Sequence, residues 1–314
     1  MEILLAVGIA ILFIIFVELV LRIYPNSQGI ISYDLSKYPY YRRPKNKRGK
    51  DIYNVERLGQ QQTPSMTTYN EGIRGDITKE KRKIILAAGC SFTEGAGLTD
   101  IDTFPGHLQK LVNSKQYGVI NAGMGGYGIF QIEKMVESLL KYNPAIVIVQ
   151  LLDFKRVPLN PQKLHRGKKN LLFGQKVKKI SLLGWQLLKT VNYRKFASIR
   201  SPYMNRKASK ELLWEANKKY LDALTEKCHQ RGTRLILFVW PSNDPALLDH
   251  AYFQGKVQEY CRVKKIPSFN ASPMFNHYRK EELQLRLDAH PSALANRLVA
   301  KAVWQCLREN KLLL

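Results

Sequence analysis

Lys83-Ile84-Ile85-Leu86-Ala87-Ala88-Gly89-Cys90-Ser91-Phe92-Thr93-Glu94-Gly95 is the stretch on which the fold turns. Its first half is a short apolar run that reads as a buried strand over Ile84–Ala88. Small residues then surround a single serine, and a helical pattern follows from Thr103. A serine at the tip of a strand-to-helix turn has an exposed hydroxyl and lies near backbone N–H groups, as a nucleophile requires. An ordinary strand-end turn would use the same residues, because Ser and Gly are common in turns. What converges on Ser91 from elsewhere must decide between the two.

Downstream, strand and helix patterns alternate. A helix over Thr103–Ser114 leads to a strand over Gly118–Asn121, the loop Ala122-Gly123-Met124-Gly125-Gly126-Tyr127-Gly128 and a helix over Ile129–Tyr142. Ala145–Leu152 is a strand whose mostly apolar run suits a parallel sheet covered on both faces. Then come helix Glu211–Arg231, strand Thr233–Trp240, helix Ala246–Val263, strand Ile266–Asn270 and helix Ser292–Glu309. This alternation predicts an α/β fold of three layers around a parallel sheet. Ligands of such sheets bind at the carboxyl ends of the strands, where Ser91 and the glycine-rich loop both fall.

A third stretch, Leu287-Asp288-Ala289-His290-Pro291-Ser292, precedes the last helix. Acyl chemistry on a serine needs an imidazole base, an acid that orients it and N–H donors for the oxyanion. His290 and Asp288 offer base and acid on one loop; a histidine with no task is the bland alternative. Two rivals use the same residues. Cys90 could be the nucleophile, although the residue before the turn apex usually points into the sheet. Gly123-Met124-Gly125-Gly126-Tyr127-Gly128 matches G-x-G-x-x-G, but a dinucleotide site wants an acid about 20 residues on, and position 148 lies inside an apolar strand.

Gly89-Cys90-Ser91-Phe92-Thr93-Glu94-Gly95-Ala96-Gly97 resembles block I of the SGNH (GDSL-type) hydrolases. Asn121-Ala122-Gly123-Met124-Gly125-Gly126-Tyr127-Gly128 resembles block II, and Asp288-Ala289-His290-Pro291-Ser292 resembles block V, in matching order across residues 83–310. The resemblance implies a flavodoxin-like α/β/α sandwich that hydrolyses or transfers ester-linked acyl groups without a metal or cofactor. By position it implies Ser91 as nucleophile, His290 as base and Asp288 as its partner, with the N–H groups of Ser91 and Gly126 as oxyanion donors. Three departures stand out. Cys90 replaces the usual Asp, Asp288 precedes His290 by two residues where many members use three, and block III is degenerate. Where the family has Gly-x-Asn-Asp, this chain has Gln150-Leu151-Leu152-Asp153, so the side-chain oxyanion donor is missing. Asp153 is a candidate oxyanion- or substrate-contact residue whose carboxylate would be unfavourable there unless turned away, and Asn243 after another strand end is a candidate substitute donor. The alternative is a weakened or inactive binding protein at the membrane surface.

Outside residues 83–314 the chain changes character. Ile3–Leu21 is nearly continuous hydrocarbon, interrupted by Glu18, and 19 helical residues would span about 28 Å. With only Met1-Glu2 in front and no small-residue cleavage site, residues 1–22 read as an uncleaved transmembrane anchor rather than a signal peptide. Residues 23–82 read as a polar linker that wraps the surface of the domain. The chain of 314 residues is 45% hydrophobic, which excludes wholesale disorder. Its 50 Lys and Arg against 25 Asp and Glu give +25, which favours anionic lipid or acidic polysaccharide as surroundings. Between Asp153 and Glu211 there are 16 Lys and Arg and no acid, so residues 155–210 read as a basic insertion that meets such a polyanion. No nucleic-acid motif accompanies the charge. The four cysteines form no CxxC pair, so no zinc or redox site is indicated. Arg22, Lys37, Arg42, Arg43, Lys45, Lys47, Arg48 and Lys50 after the anchor point to a cytoplasmic body by the positive-inside rule. Anchored members of the family usually face away from the cytoplasm, and that is the expectation here.

Overall fold

The computed structural model describes residues 2–23, 34, 39–50, 65–113, 115–152, 154–159, 181, 183, 205, 207–241, 249–285 and 289–313, with side chains from residue 7 to 20 in the first helix. Four parallel strands form the centre: β3 (Lys83–Gly89), β4 (Tyr117–Gly123), β5 (Ile146–Leu151) and β6 (Arg234–Val239), in spatial order β4-β3-β5-β6. They follow a small antiparallel pair, β1 (Lys47–Lys50) with β2 (Ser65–Thr68). The register sets Gly89 beside Gly123 and Ala88 beside Val149, so the ends of β3, β4 and β5 make one rim. This is the strand order expected of a flavodoxin-like sheet.

Alternation along the strands feeds two cores. Ile84, Leu86, Ala88, Val147 and Val149 face one side, with α4 (Ile129–Leu139), α5 (Lys210–Gln230) and α6 (His250–Lys264). Ile85, Ala87, Ile146, Ile148, Ile236 and Phe238 face the other, with α3 (Phe104–Leu111) and α8 (Ala293–Glu309). Both faces are buried, which is why the strands lack a polar alternation. The helices start on side-chain caps. Thr103 Oγ1 accepts from Gly106 N in α3, Ser209 Oγ from Leu212 N in α5 and Ser292 Oγ from Ala295 N in α8. Asn296 locks α8 to α3: its Oδ1 accepts from Phe104 N at 2.8 Å, and its Nδ2 donates to Ser292 O at 2.9 Å.

One expectation needs correction. Ile266–Asn270 is not a strand; it contributes a single parallel bridge, Leu237 to Ser268, because the chain leaves the sheet after one pairing. Of residues 23–82, the described stretches 39–50 and 65–82 pack against the domain: Tyr41, Met66, Ile73, Arg74 and Ile77 are buried. Among the described residues no helix is long and apolar enough to cross a membrane; in the first helix the described side chains run only from residue 7 to 20. The first helix, α1 (Glu2–Ile23), is 22 residues long, and its described apolar side chains, from Val7 to Val20, are largely exposed. Most of the insertion at 155–210 lies outside the described residues.

Candidate active site

Ser91 opens α2 (Ser91–Glu94), a single turn that begins directly after β3. Cys90 is its N-cap in extended conformation, and Gly95 ends it in the left-handed region at φ 74°. A side chain at Gly95 would meet Thr103 Cγ2 at 2.2 Å, so glycine satisfies both the backbone and the packing there. Beneath the turn lies Gln150, fully buried. Its Oε1 accepts from Cys90 N at 3.2 Å, Thr93 Oγ1 at 3.0 Å and Cys90 Sγ at 3.3 Å. A peptide N–H can only donate, so the amide oxygen must face this way. The Cys90 thiol therefore points into the sheet, which removes it as a rival nucleophile.

The Ser91 hydroxyl points the other way and meets His290: Oγ and Nε2 are 2.9 Å apart. The two residues are 199 positions apart, and each is fixed by its own scaffold. His290 O accepts from Leu285 N at 2.8 Å, Gln284 bridges to Pro291, and Ser292 N donates to Leu283 O at 2.9 Å. Phe92 lies edge-on to both the His290 ring at 5.6 Å and the Trp240 ring at 5.4 Å, so an aromatic wall backs the imidazole. Asp288, Asp153 and Asn243 lie outside the described residues.

The glycine-rich loop runs alongside α2. Met124 N donates to Gly89 O at 3.0 Å, and Asn121 Nδ2 to Thr93 O at 2.9 Å. A Cβ at Gly123 would fall 2.1 Å from Glu94 N, so the glycine-rich loop sits directly against α2. Buried Glu94 takes the Gly125 N–H on Oε2 at 2.9 Å, while Arg43 Nε holds Oε1 at 2.7 Å. A carboxylate thus already occupies the loop amide that a pyrophosphate would need, which disposes of the dinucleotide reading. Arg156 Nη1 donates to Gly126 O at 2.9 Å, and Tyr41 Oη to Gly125 O at 2.9 Å. At the block III position Leu152 is half-buried and packs against the second core, so it presents no hydrogen-bond donor.

Sequence reasoning missed the residues that brace the site. Arg74 is the clearest. Its Nε pairs with Asp100 at 2.6 Å, Nη1 donates to Glu94 O at 2.6 Å and Gly95 O at 3.0 Å, and Nη2 to Leu98 O at 3.0 Å. One guanidinium thereby satisfies the carbonyls left open where α2 ends. Tyr41 does the same for a carbonyl of the glycine-rich loop, and Arg43 steadies that loop at one remove, through the Glu94 carboxylate. Nothing periodic marks these three residues; an arginine before the first sheet strand followed by a Gly-rich loop is the only trace they leave.

No family model matches the chain, and no curated protein matches it. Solved structures do resemble it. TesA aligns at 16% identity and TM-score 0.47 over 72% of this chain and 98% of its own. The psychrotrophic esterase EstA from Pseudoalteromonas aligns at 14% and 0.45 over 73% and 98%. AlinE4, an SGNH-hydrolase family esterase, aligns at 16% and 0.41 over 74% and 97%.

Proposed function

We propose that the chain is a serine ester hydrolase or acyl transferase that acts on an acyl ester, an O-acetyl group above all, of a cell-envelope glycan or lipid. The observation that carries the proposal is the 2.9 Å contact between Ser91 Oγ and His290 Nε2. In the reaction, Nε2 takes the hydroxyl proton while Oγ bonds to the ester carbonyl carbon. His290 returns that proton to the departing alkoxide as the carbon–oxygen bond breaks. Water, or a second hydroxyl, then releases the acyl group by the same route. For Nε2 to accept, the other ring nitrogen must carry the proton, and Asp288 is assigned to hold it there. The N–H groups of Ser91 and Gly126 are assigned to the oxyanion, with Asn243 as side-chain donor and Asp153 at the rim. The chemistry requires no metal or cofactor.

The N-terminal helix is proposed as a single-pass membrane anchor. The apolar run Ile3–Leu21 and the exposed apolar side chains of α1 support this. The catalytic body is placed on the extracytoplasmic side, with residues 155–210 against anionic lipid or acidic polysaccharide. Leu152, where an Asn donor is missing, favours a second reading: a catalytically weakened protein that binds acylated ligands. The test compares the full-length chain in detergent with Ser91→Ala on p-nitrophenyl acetate. A rate at least about 100-fold above the variant is expected; equal rates overturn the catalytic reading and leave the binding one. A topology reporter fused after Leu314 reads the placement, and a cytoplasmic signal overturns it.

A further inference from the structure

The loop beside Ser91 contains a turn whose middle peptide has two possible orientations. Tyr127 N donates to Met124 O at 3.2 Å, closing a four-residue turn. Gly126 is at φ 80°, while Gly125 is not in the positive region, which makes the turn type II. Types I and II differ by a rotation of the central peptide through about 180°. Here that peptide joins Gly125 to Gly126, and its N–H is the donor that the serine-hydrolase reading assigns to the oxyanion. Because a trans peptide is planar, the Gly126 N–H points opposite to the Gly125 carbonyl. Whatever holds that carbonyl also aims the N–H.

The group that holds it is Tyr41, whose hydroxyl donates to Gly125 O at 2.9 Å. We propose that Tyr41 is a positioning residue for the oxyanion hole: it locks the Gly125–Gly126 peptide in the type II orientation, so that an N–H and not a carbonyl faces the reacting ester. This rests on the function proposed above. The surroundings suit the task. Tyr41 is buried, its ring meets Tyr127 edge-on at 5.1 Å, and the Tyr127 hydroxyl bonds back to Tyr41 O. Gln131 Nε2 holds the same strap at Pro39 O, 2.6 Å away. The neighbouring peptide groups are held too, Gly125 N by Glu94 and Gly126 O by Arg156, so the turn is fixed on both sides of the peptide whose carbonyl Tyr41 holds. Donation into the carbonyl also polarises the N–H on the far side, strengthening it toward an oxyanion.

The test uses the full-length chain, Tyr41→Phe and Ser91→Ala. The readouts are kcat and KM on p-nitrophenyl acetate and the rate of covalent labelling by a fluorophosphonate, whose phosphoryl oxygen enters the oxyanion hole. Losing a whole donor costs about 10²–10³ in rate, so a peptide that flips part of the time should cost roughly 10- to 100-fold in kcat and in labelling rate. KM should stay within about twofold, and the pH profile of kcat/KM should keep its shape, because His290 is untouched. A merely structural role would instead move the melting temperature and leave the folded fraction labelling at the normal rate. If the wild-type chain labels at Ser91 and Tyr41→Phe labels equally fast, the role given to Tyr41 is wrong. If the wild type does not label at Ser91 at all, the hydrolase reading falls first and Tyr41 with it.

Discussion

Replacing Arg74 by methionine should destabilise the domain far more than a typical surface change. Methionine keeps much of the apolar stem and removes the guanidinium, whose side chain is only 1% exposed. The carbonyls of Glu94, Gly95 and Leu98 then lose the guanidinium, though Gly95 O keeps the Leu98 N–H at 3.0 Å and Glu94 O a long contact from Asn121 Nδ2 at 3.5 Å. A buried acceptor left unpaired costs about 1–3 kcal/mol. Asp100, at 36% exposure, can turn to water and adds little. With the Gly95 carbonyl still paired, the loss falls on Leu98 O and Glu94 O, so the expected cost is about 2–4 kcal/mol. For a domain of this size about 1 kcal/mol corresponds to 2–4 °C, so the midpoint should fall by roughly 4 to 16 °C. Thermal melting of the full chain in detergent, followed by the fluorescence of buried Trp240, reads the change. Arg74→Lys keeps a charge and three donors but not the planar fork, and should recover about half. A fall of under about 2 °C for Arg74→Met would mean that the carbonyls hydrate freely and that the arginine is no brace.

Burial pushes Cys228 and Cys261 up to about 12 and Cys306 up to about 11, from an ordinary 9.0. The folded state keeps protons that the unfolded chain releases above pH 9, so this stability is intact below pH 9 and is lost between pH 9 and about 12. At pH 10 each thiol should cost about 1.4 kcal/mol. Urea midpoints at pH 8 and 10 read the loss, and an unchanged pH difference in a variant lacking all three thiols would sink the argument. Leu152→Asn should restore a side-chain donor and raise kcat about tenfold or more, while lowering stability by about 1–2 kcal/mol from lost packing. Steady-state kinetics check the first part, and no gain would show that Leu152 does not face the reacting carbonyl.

The α/β order was legible because it is written in apolar runs of strand length between helical periods, as at Ile146–Leu151 and Lys210–Gln230. The Ser91–His290 pairing was legible through the order of the stretches that resemble blocks I and V, not through topology, since His290 lies between two helices rather than after a strand. Cys90 pointing inward also followed from its place before the turn. What the sequence hid was held by side chains bonding to distant backbone. Tyr41 reaches a carbonyl 84 residues away and Arg74 reaches carbonyls 20 to 24 residues away, and neither contact imposes a repeat on the residues between. The missed case at Ile266–Asn270 differs: its residues suit a strand, but only Ser268 pairs with the edge of β6.

The insertion after β5 leaves and returns at one point. Asn205 donates through N to Lys155 O at 2.9 Å and through Nδ2 to Val157 O at 2.6 Å, and Asp249 pairs with Lys155 at 3.2 Å and Lys210 at 3.1 Å. With the neck pinned, a change in the length of chain between its two ends alters loop-closure entropy by only about 0.6 kcal/mol for each doubling. The arm could therefore lengthen, shrink or be exchanged while the Ser91–His290 pair stays in register. The neck lies at the same strand-end rim as Ser91, so such an exchange would alter what stands beside the Ser91–His290 pair without rebuilding the elements that hold it.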